Sequence, residues 1–343
     1  MKALIKKQKG YDQMELVSIP SPPVSGKLVK IRVAYAGICG TDIHTFEGVY
    51  PGNTPPVVLG HEFSGEVVDI GDGVTSVKIG DCVTSETTFE TCGTCESCLN
   101  QEYNLCSGRK GLGTQTNGGF AEYVLSREES VHILPEGVSL LSAALTEPLA
   151  CCVHGALEKT TLQPGDVAAV FGPGPIGLLM SRLLISQGVQ VILAGVTKDE
   201  PRFKLAGSLG VAHIVDQQKE HLPRYVKELT GGKGVNKVFE CSGVVQALNT
   251  GMQIAAKKAD VVQLGIFKEQ FNMIDTSLFF SREIRLVGSR TQKPSSWRIS
   301  LDLMRRGAVC PEKIVTGIVS LDDWREGFKR VQNCTDVKIV IQM

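Results

Sequence analysis

Three features of this 343-residue sequence predict a two-part α/β protein, one part β-rich and the other a doubly wound parallel sheet. Between Leu28 and Val83 short β-rich runs alternate with Gly and Pro turns, and no long helical period develops. After Pro148, strand-like and helical stretches alternate at the spacing of a parallel sheet. Four cysteines, Cys92, Cys95, Cys98 and Cys106, lie in a polar segment with too few apolar side chains to fold without an added restraint.

In the first part, the runs 29–34, 63–70 and 82–84 are the predicted strands. In the second, 167–171, 190–194, 213–216, 237–240 and 260–265 are strands, separated by helices such as 175–187, 199–209 and 244–257. The run 284–288 reads as the last strand of that sheet, followed by helical segments at 300–306 and 322–331 and a final strand at 338–341. The expected division is therefore a discontinuous domain, 1–150 with 290–343, around a second domain, 151–289, with the metal loop at 86–107 inside the first.

Lys+Arg and Asp+Glu both number 36, and this zero balance gives no reason to expect a nucleic acid or a membrane surface as partner. The opening apolar run is too short for a signal peptide. The longest apolar region, 167–196, is broken by Gly-Pro-Gly-Pro and Arg182, so a cytoplasmic enzyme is expected. Eleven cysteines, an odd number, four of them at ligand spacing, favour metal binding over disulfides. Cys82, Cys241, Cys310 and Cys334 read as ordinary thiols, and Cys151 and Cys152 as packing residues at the junction of the domains.

Two groups of metal ligands stand out. The C-x2-C-x2-C-x7-C run from Cys92 to Cys106 offers only thiolates, which is how a closed, tetrahedral structural zinc is built. Cys39, His61 and Glu62 instead mix thiolate, imidazole and carboxylate, a set that can leave a position open for substrate. Together they predict a zinc enzyme.

Gly172-Pro-Gly174-Pro175-Ile176-Gly177 follows a strand and opens a helix, the setting in which backbone amides and a helix N-terminus take a pyrophosphate. The usual acidic residue that holds the adenosine ribose is missing, because Gly195 stands where the second strand should end. Loss of that acid removes repulsion toward a 2′-phosphate, and Thr197, Lys198 and Arg202 are placed to contact one. The reading leans to NADP over NAD, with Asp199 as an alternative ribose partner.

The run Gly60-His61-Glu62-Phe-Ser-Gly65, then Gly71 and Val74, preceded by Cys39-Gly-Thr41-Asp-Ile-His44, resembles the zinc-containing medium-chain alcohol dehydrogenases. The resemblance extends over nearly the whole chain. It implies a GroES-like catalytic domain closing on a Rossmann domain, with the site in the cleft, a catalytic zinc on Cys39 and His61, and a dimer or tetramer. Thr146-Glu147-Pro148-Leu149 resembles the polyol and threonine dehydrogenase branches, in which Glu62 ligates zinc and the second glutamate stands on or beside it. Thr41 and His44 take the places of a hydroxyl and a histidine that pass a proton to solvent.

The activity implied is reversible NAD(P)-linked oxidation of a secondary alcohol, most like sorbitol or polyol dehydrogenases. Sugar alcohol phosphate oxidation is an alternative. Thr45 stands where the sorbitol enzymes commonly carry an aromatic residue, which counts against sorbitol itself. Thr88-Phe89-Glu90-Thr91 lacks the histidine that the threonine dehydrogenases tend to have before their cysteine loop. A non-catalytic, nucleotide-sensing member would be expected to lack Cys39 or His61, and both are present. Arg290 is a candidate contact for a substrate hydroxyl or phosphate, or else one half of a surface salt bridge.

Overall fold

A computed structural model describes all 343 residues. The chain forms two compact units, one made of Met1–Glu147 with Gln292–Met343 and the other of Pro148–Thr291.

The first unit is built around a seven-stranded sheet whose long central strand, Leu28–Gly37, alternates buried and less buried residues over most of its length. One edge of that strand pairs with Glu62–Ile70. Along the other edge, Tyr123–Arg127 pairs its first half and Lys338–Gln342 its last three residues, so the C-terminal strand lies beside Gly37. This brings Gly37, Glu62 and the C-terminal segment, remote in sequence, side by side. The seven-residue helix Gly40–Phe46 follows the central strand. Phe46 anchors it, meeting Trp324 at 6.3 Å and Phe328 at 5.8 Å between ring centroids, both edge-on. Such pairs contribute about 0.5–1.5 kcal/mol each beyond their buried area. The helix that carries Thr41, Asp42 and His44 is thereby fixed to the core.

The second unit is a six-stranded parallel sheet. Its spatial order is His213–Asp216, Gln190–Gly195, Val167–Phe171, Val235–Glu240, Ala255–Gln263 and Arg285–Gly288. The third, second and first strands in sequence are thus followed by the fourth, fifth and sixth, the doubly wound order that opens a ligand crevice at the carboxyl ends of the first and fourth strands.

The helix predicted at 244–257 ends earlier, at Ile254, and the next strand begins at Ala255. Ala255, Ala256, Lys257 and Lys258 are good helix formers, but Ala255 is buried in register with Val235, and the pairing overrides the local preference. The helix expected at 300–306 starts at Pro294, which supplies the favoured first-turn proline. No helix is long and apolar enough to cross a membrane.

Candidate active site

The four cysteines converge as their spacing predicts. Their sulfur atoms lie 3.8 Å (Cys92–Cys98), 3.5 Å (Cys95–Cys98) and 3.6 Å (Cys106–Cys92) apart, and all four are free thiols. A tetrahedron of Zn–S bonds of about 2.3 Å puts sulfurs roughly 3.8 Å apart, whereas a disulfide would need about 2.05 Å. The donor set fits zinc. Backbone N–H groups of Thr94 and Cys95 bring the Cys92 thiol down to about 6, toward the thiolate that a metal requires.

Cys39, His61 and Glu62 form the second cluster, with ligand atoms all within 4.8 Å of one another. Cys39 caps the helix Gly40–Phe46, and His61 and Glu62 come from the start of the strand Glu62–Ile70 and the residue before it. Glu62 has room because its neighbour across the sheet is Gly37, where a Cβ would fall on the Glu62 carboxylate. His61 and Glu62 are both buried. Burial alone would lower the His61 pKa, but Asp42 and Cys39 more than offset it and hold the imidazole well above its ordinary value. The pocket therefore favours positive charge, as a cation site must. Glu147 lies outside the 4.8 Å group, yet it is buried and close enough to raise both His61 and Lys338.

Two residues that the motifs did not single out complete this cluster. The Asp42 carboxylate accepts from the Cys39 backbone N–H at 2.9 Å and sits 3.7 Å from His61 Nδ1, so it holds the Cys39 backbone by a hydrogen bond and faces His61 as a charge. Its position three residues after Cys39, on the first turn of a helix, was the available signal. Lys338 is 2 % exposed; its Nζ lies 2.5 Å from Glu62 Oε2, without hydrogen-bond alignment, and donates to the Ile38 carbonyl at 2.9 Å. Burial would lower its pKa, but Glu62, Cys39 and Glu147 outweigh this and keep it charged. No local pattern marks Lys338.

Thr41 is half-buried on the same helix, and His44 is exposed, with Nδ1 3.5 Å from Glu47. Thr45 is buried. Arg290 is exposed.

In the second unit, Gly172 adopts φ 91° after the strand Val167–Phe171, and Gly174 caps the helix Pro175–Ser186. A Cβ at Gly172 would meet Ser242, and one at Gly177 would meet the Gly172 carbonyl. One at Gly174 would meet nothing within 4 Å. The first and third glycines thus permit the tight turn and the close helix, and the middle one leaves the open space through which a diphosphate would approach the helix N-terminus. Pro175 supplies the first-turn proline, and the Ile176 carbonyl accepts from Cys152, a buried thiol packed beneath the loop.

The end of the second strand is more occupied than the sequence implied. Asp199 accepts from the Val196 N–H at 3.1 Å and lies 3.6 Å from Arg202, so it caps its own turn and engages Arg202. Thr197 donates its hydroxyl to Asp216 at 2.7 Å, and Asp216 is paired in register with Gly195. A side chain at Gly195 would press on Phe203 and Pro173. The glycine is there partly for packing. Lys198 is exposed.

Comparison with known proteins agrees with this geometry. Residues 25–136 match the alcohol dehydrogenase GroES-like domain, and residues 175–306 match the zinc-binding dehydrogenase family. The chain is 46% identical to D-arabitol-phosphate dehydrogenase of Enterococcus avium, covering 100% of this chain and 97% of the relative. It is 43% identical to sorbitol dehydrogenase of Halalkalibacterium halodurans, covering 99% of each. A solved protein of Sinorhizobium meliloti 1021 bound to NADP superposes with a TM-score of 0.90 at 30% identity, covering 100% of this chain and 99% of the other. The fold is that of the medium-chain dehydrogenases, a GroES-like part with a Rossmann-like parallel sheet. The chain belongs to the zinc-binding dehydrogenase family and is an oxidoreductase.

Proposed function

We propose that this protein oxidises a secondary alcohol of a polyol, or of a polyol phosphate ester, to the ketone, with NAD(P) as hydride acceptor. The observation that carries the reading is the Cys39–His61–Glu62 cluster, with His61 and Glu62 buried, beside the buried Glu147 and separate from a four-thiolate cluster. A mixed, carboxylate-bearing donor set suits exchangeable oxygen ligands, whereas four thiolates close a site. The names of the two relatives, one acting on an arabitol phosphate and one on sorbitol, support the substrate class.

In this reading Cys39, His61 and a carboxylate from Glu62 or Glu147 hold the catalytic zinc, and Cys92, Cys95, Cys98 and Cys106 hold the structural one. When bound, zinc supplies a Lewis acid that makes the alcohol proton easier to remove, while the nicotinamide accepts the hydride. Asp42 stands 3.7 Å from His61 Nδ1, on the side of the ring away from Nε2, which is the nitrogen left to face the metal. The Thr41 hydroxyl would accept the released proton while giving up its own toward His44, which is already at the surface and would pass a proton to solvent. The Gly172-to-Gly177 turn holds the cofactor diphosphate.

The chain is taken to be a cytoplasmic homo-oligomer, dimer or tetramer, with no nucleic-acid or membrane partner. For the adenosine end, NADP is favoured over NAD, with Lys198 as the main phosphate contact. Thr197 and Arg202 are secondary because each already engages an acid. One charge-assisted contact is worth roughly 1.5–3 kcal/mol, so Lys198→Ala is expected to weaken NADP about tenfold or more and leave NAD nearly unchanged. Assaying polyols, polyol phosphates and amino-alcohols with both cofactors, in wild type and Lys198→Ala, tests the whole reading. Turnover confined to amino-alcohols would overturn the substrate class, and equal loss of both cofactors would overturn the phosphate assignment.

A further inference from the structure

The proposed ligand Glu147 is tied to a hydrogen-bonded chain that begins in the four-cysteine lobe. Gln292 is buried, and its Nε2 lies 3.2 Å from Glu147 Oε1 and 3.3 Å from Thr87 Oγ1. Thr87 Oγ1 in turn accepts from an Arg109 guanidinium nitrogen at 2.9 Å, and Arg109 Nε donates to Thr88 Oγ1 at 2.9 Å. Arg109 stands three residues after Cys106, and its backbone N–H bonds the Cys106 carbonyl at 3.1 Å. The amide orientation is dictated by chemistry, because an ionised carboxylate can only accept and Gln292 must turn its NH2 toward it.

Two details accompany this contact of Gln292. Its Oε1 is buried without a hydrogen-bond partner. The preceding residue, Thr291, holds φ 50°, a left-handed conformation rarely taken by a β-branched side chain and tolerated where the surroundings impose it. The two site carboxylates also have different close contacts. Glu62 Oε2 lies 2.5 Å from the charged Lys338, whereas Glu147 Oε1 lies 3.2 Å from the neutral amide of Gln292, which can orient it without adding charge. Metal-binding carboxylates are themselves held by such hydrogen bonds, and losing one commonly costs 10–100-fold in metal affinity or activity.

We propose that Gln292 is a positioning residue for Glu147, and that the Arg109–Thr87–Gln292 chain lets the four-cysteine lobe set the geometry of the catalytic metal's carboxylate. The inference rests on the assignment of Glu147 to that metal. It predicts that Gln292→Met, an apolar near-isostere, lowers kcat by about 10–100-fold while the KM for cofactor stays near wild type. In the cobalt-substituted protein the visible d–d bands of the Cys39 site shift, while the charge-transfer bands of the four-thiolate site do not. Thr87→Val gives a smaller shift in the same direction and reads the same chain if Gln292→Met fails to fold. In a Glu147→Ala background, Gln292→Met adds nothing further.

Wild-type cobalt bands and kcat in both Gln292→Met and Thr87→Val, with Glu147→Ala perturbing both, would overturn the positioning role alone. An unperturbed Glu147→Ala would overturn the ligand assignment and the inference with it.

Discussion

The two metal clusters of the first unit are assembled in opposite ways. The four cysteines come from one contiguous segment, are chemically alike, and hold one another through bonds such as Cys95 N–H to Cys92 Sγ at 3.4 Å. The Cys39 cluster draws on a helix cap and the start of a strand remote in sequence, and its neighbours Asp42 and Lys338 lie on the helix and on a second strand. Cys92 is exposed and Cys95 half-buried beside the buried Cys98 and Cys106, whereas around the half-buried Cys39 the other groups, His61, Glu62, Asp42 and Lys338, are all buried. A local cluster can order a segment that has no core of its own. The dispersed one can exist only after the sheet has formed, so it serves the chemistry and leaves folding to the surrounding core.

The sharpest way to break this contrast is to remove one ligand from each. Cys95→Ser is expected to lower Tm by on the order of 10 °C and to open the 86–107 segment to proteolysis, because little else restrains it. Cys39→Ser should keep a near-wild-type melting profile while turnover falls by roughly 10³-fold, since Lewis-acid stabilisation is worth several kcal/mol and each 1.36 kcal/mol is tenfold. Circular-dichroism melts and steady-state rates on both variants check this. Equal melting loss in the two would erase the distinction.

A third substitution separates charge balance from packing. Lys338→Met leaves the Glu62 carboxylate buried without its cation, a change that costs about 3–5 kcal/mol where one partner of a buried pair is removed. Zinc at the site would supply the missing charge. Denaturant unfolding should therefore show a larger loss in the zinc-stripped protein than in the zinc-loaded one, and an equal loss in both would mean that Lys338 acts through packing.

The same contrast explains what the sequence made visible. The four-cysteine spacing and the Gly172-to-Gly177 turn are local, so their residues converge with no knowledge of the fold. Glu62 beside His61 was legible for the same reason. Lys338 and Gln292 were not, because each is a single polar residue with no spacing signal: Lys338 arrives on the C-terminal strand that returns to the central sheet, and Gln292 at the point where the chain re-enters the first unit. The doubly wound order followed from the alternation of strands and helices, but the boundary at Ala255 did not, since only pairing with Val235 turns a helix-favouring sequence into a strand. At Gly195 the missing acid was legible, while the packing of Phe203 and Pro173 against that position was not.

The most direct test of the account is a chelator titration of the metal-replete protein, with released zinc, turnover and far-UV ellipticity followed together. The account predicts two zinc ions per chain, one for each cluster. The first zinc released should take the activity and leave the fold, and only the second should take the order of the 86–107 segment. Release of a single zinc per chain, or loss of activity and fold in one step, would contradict it.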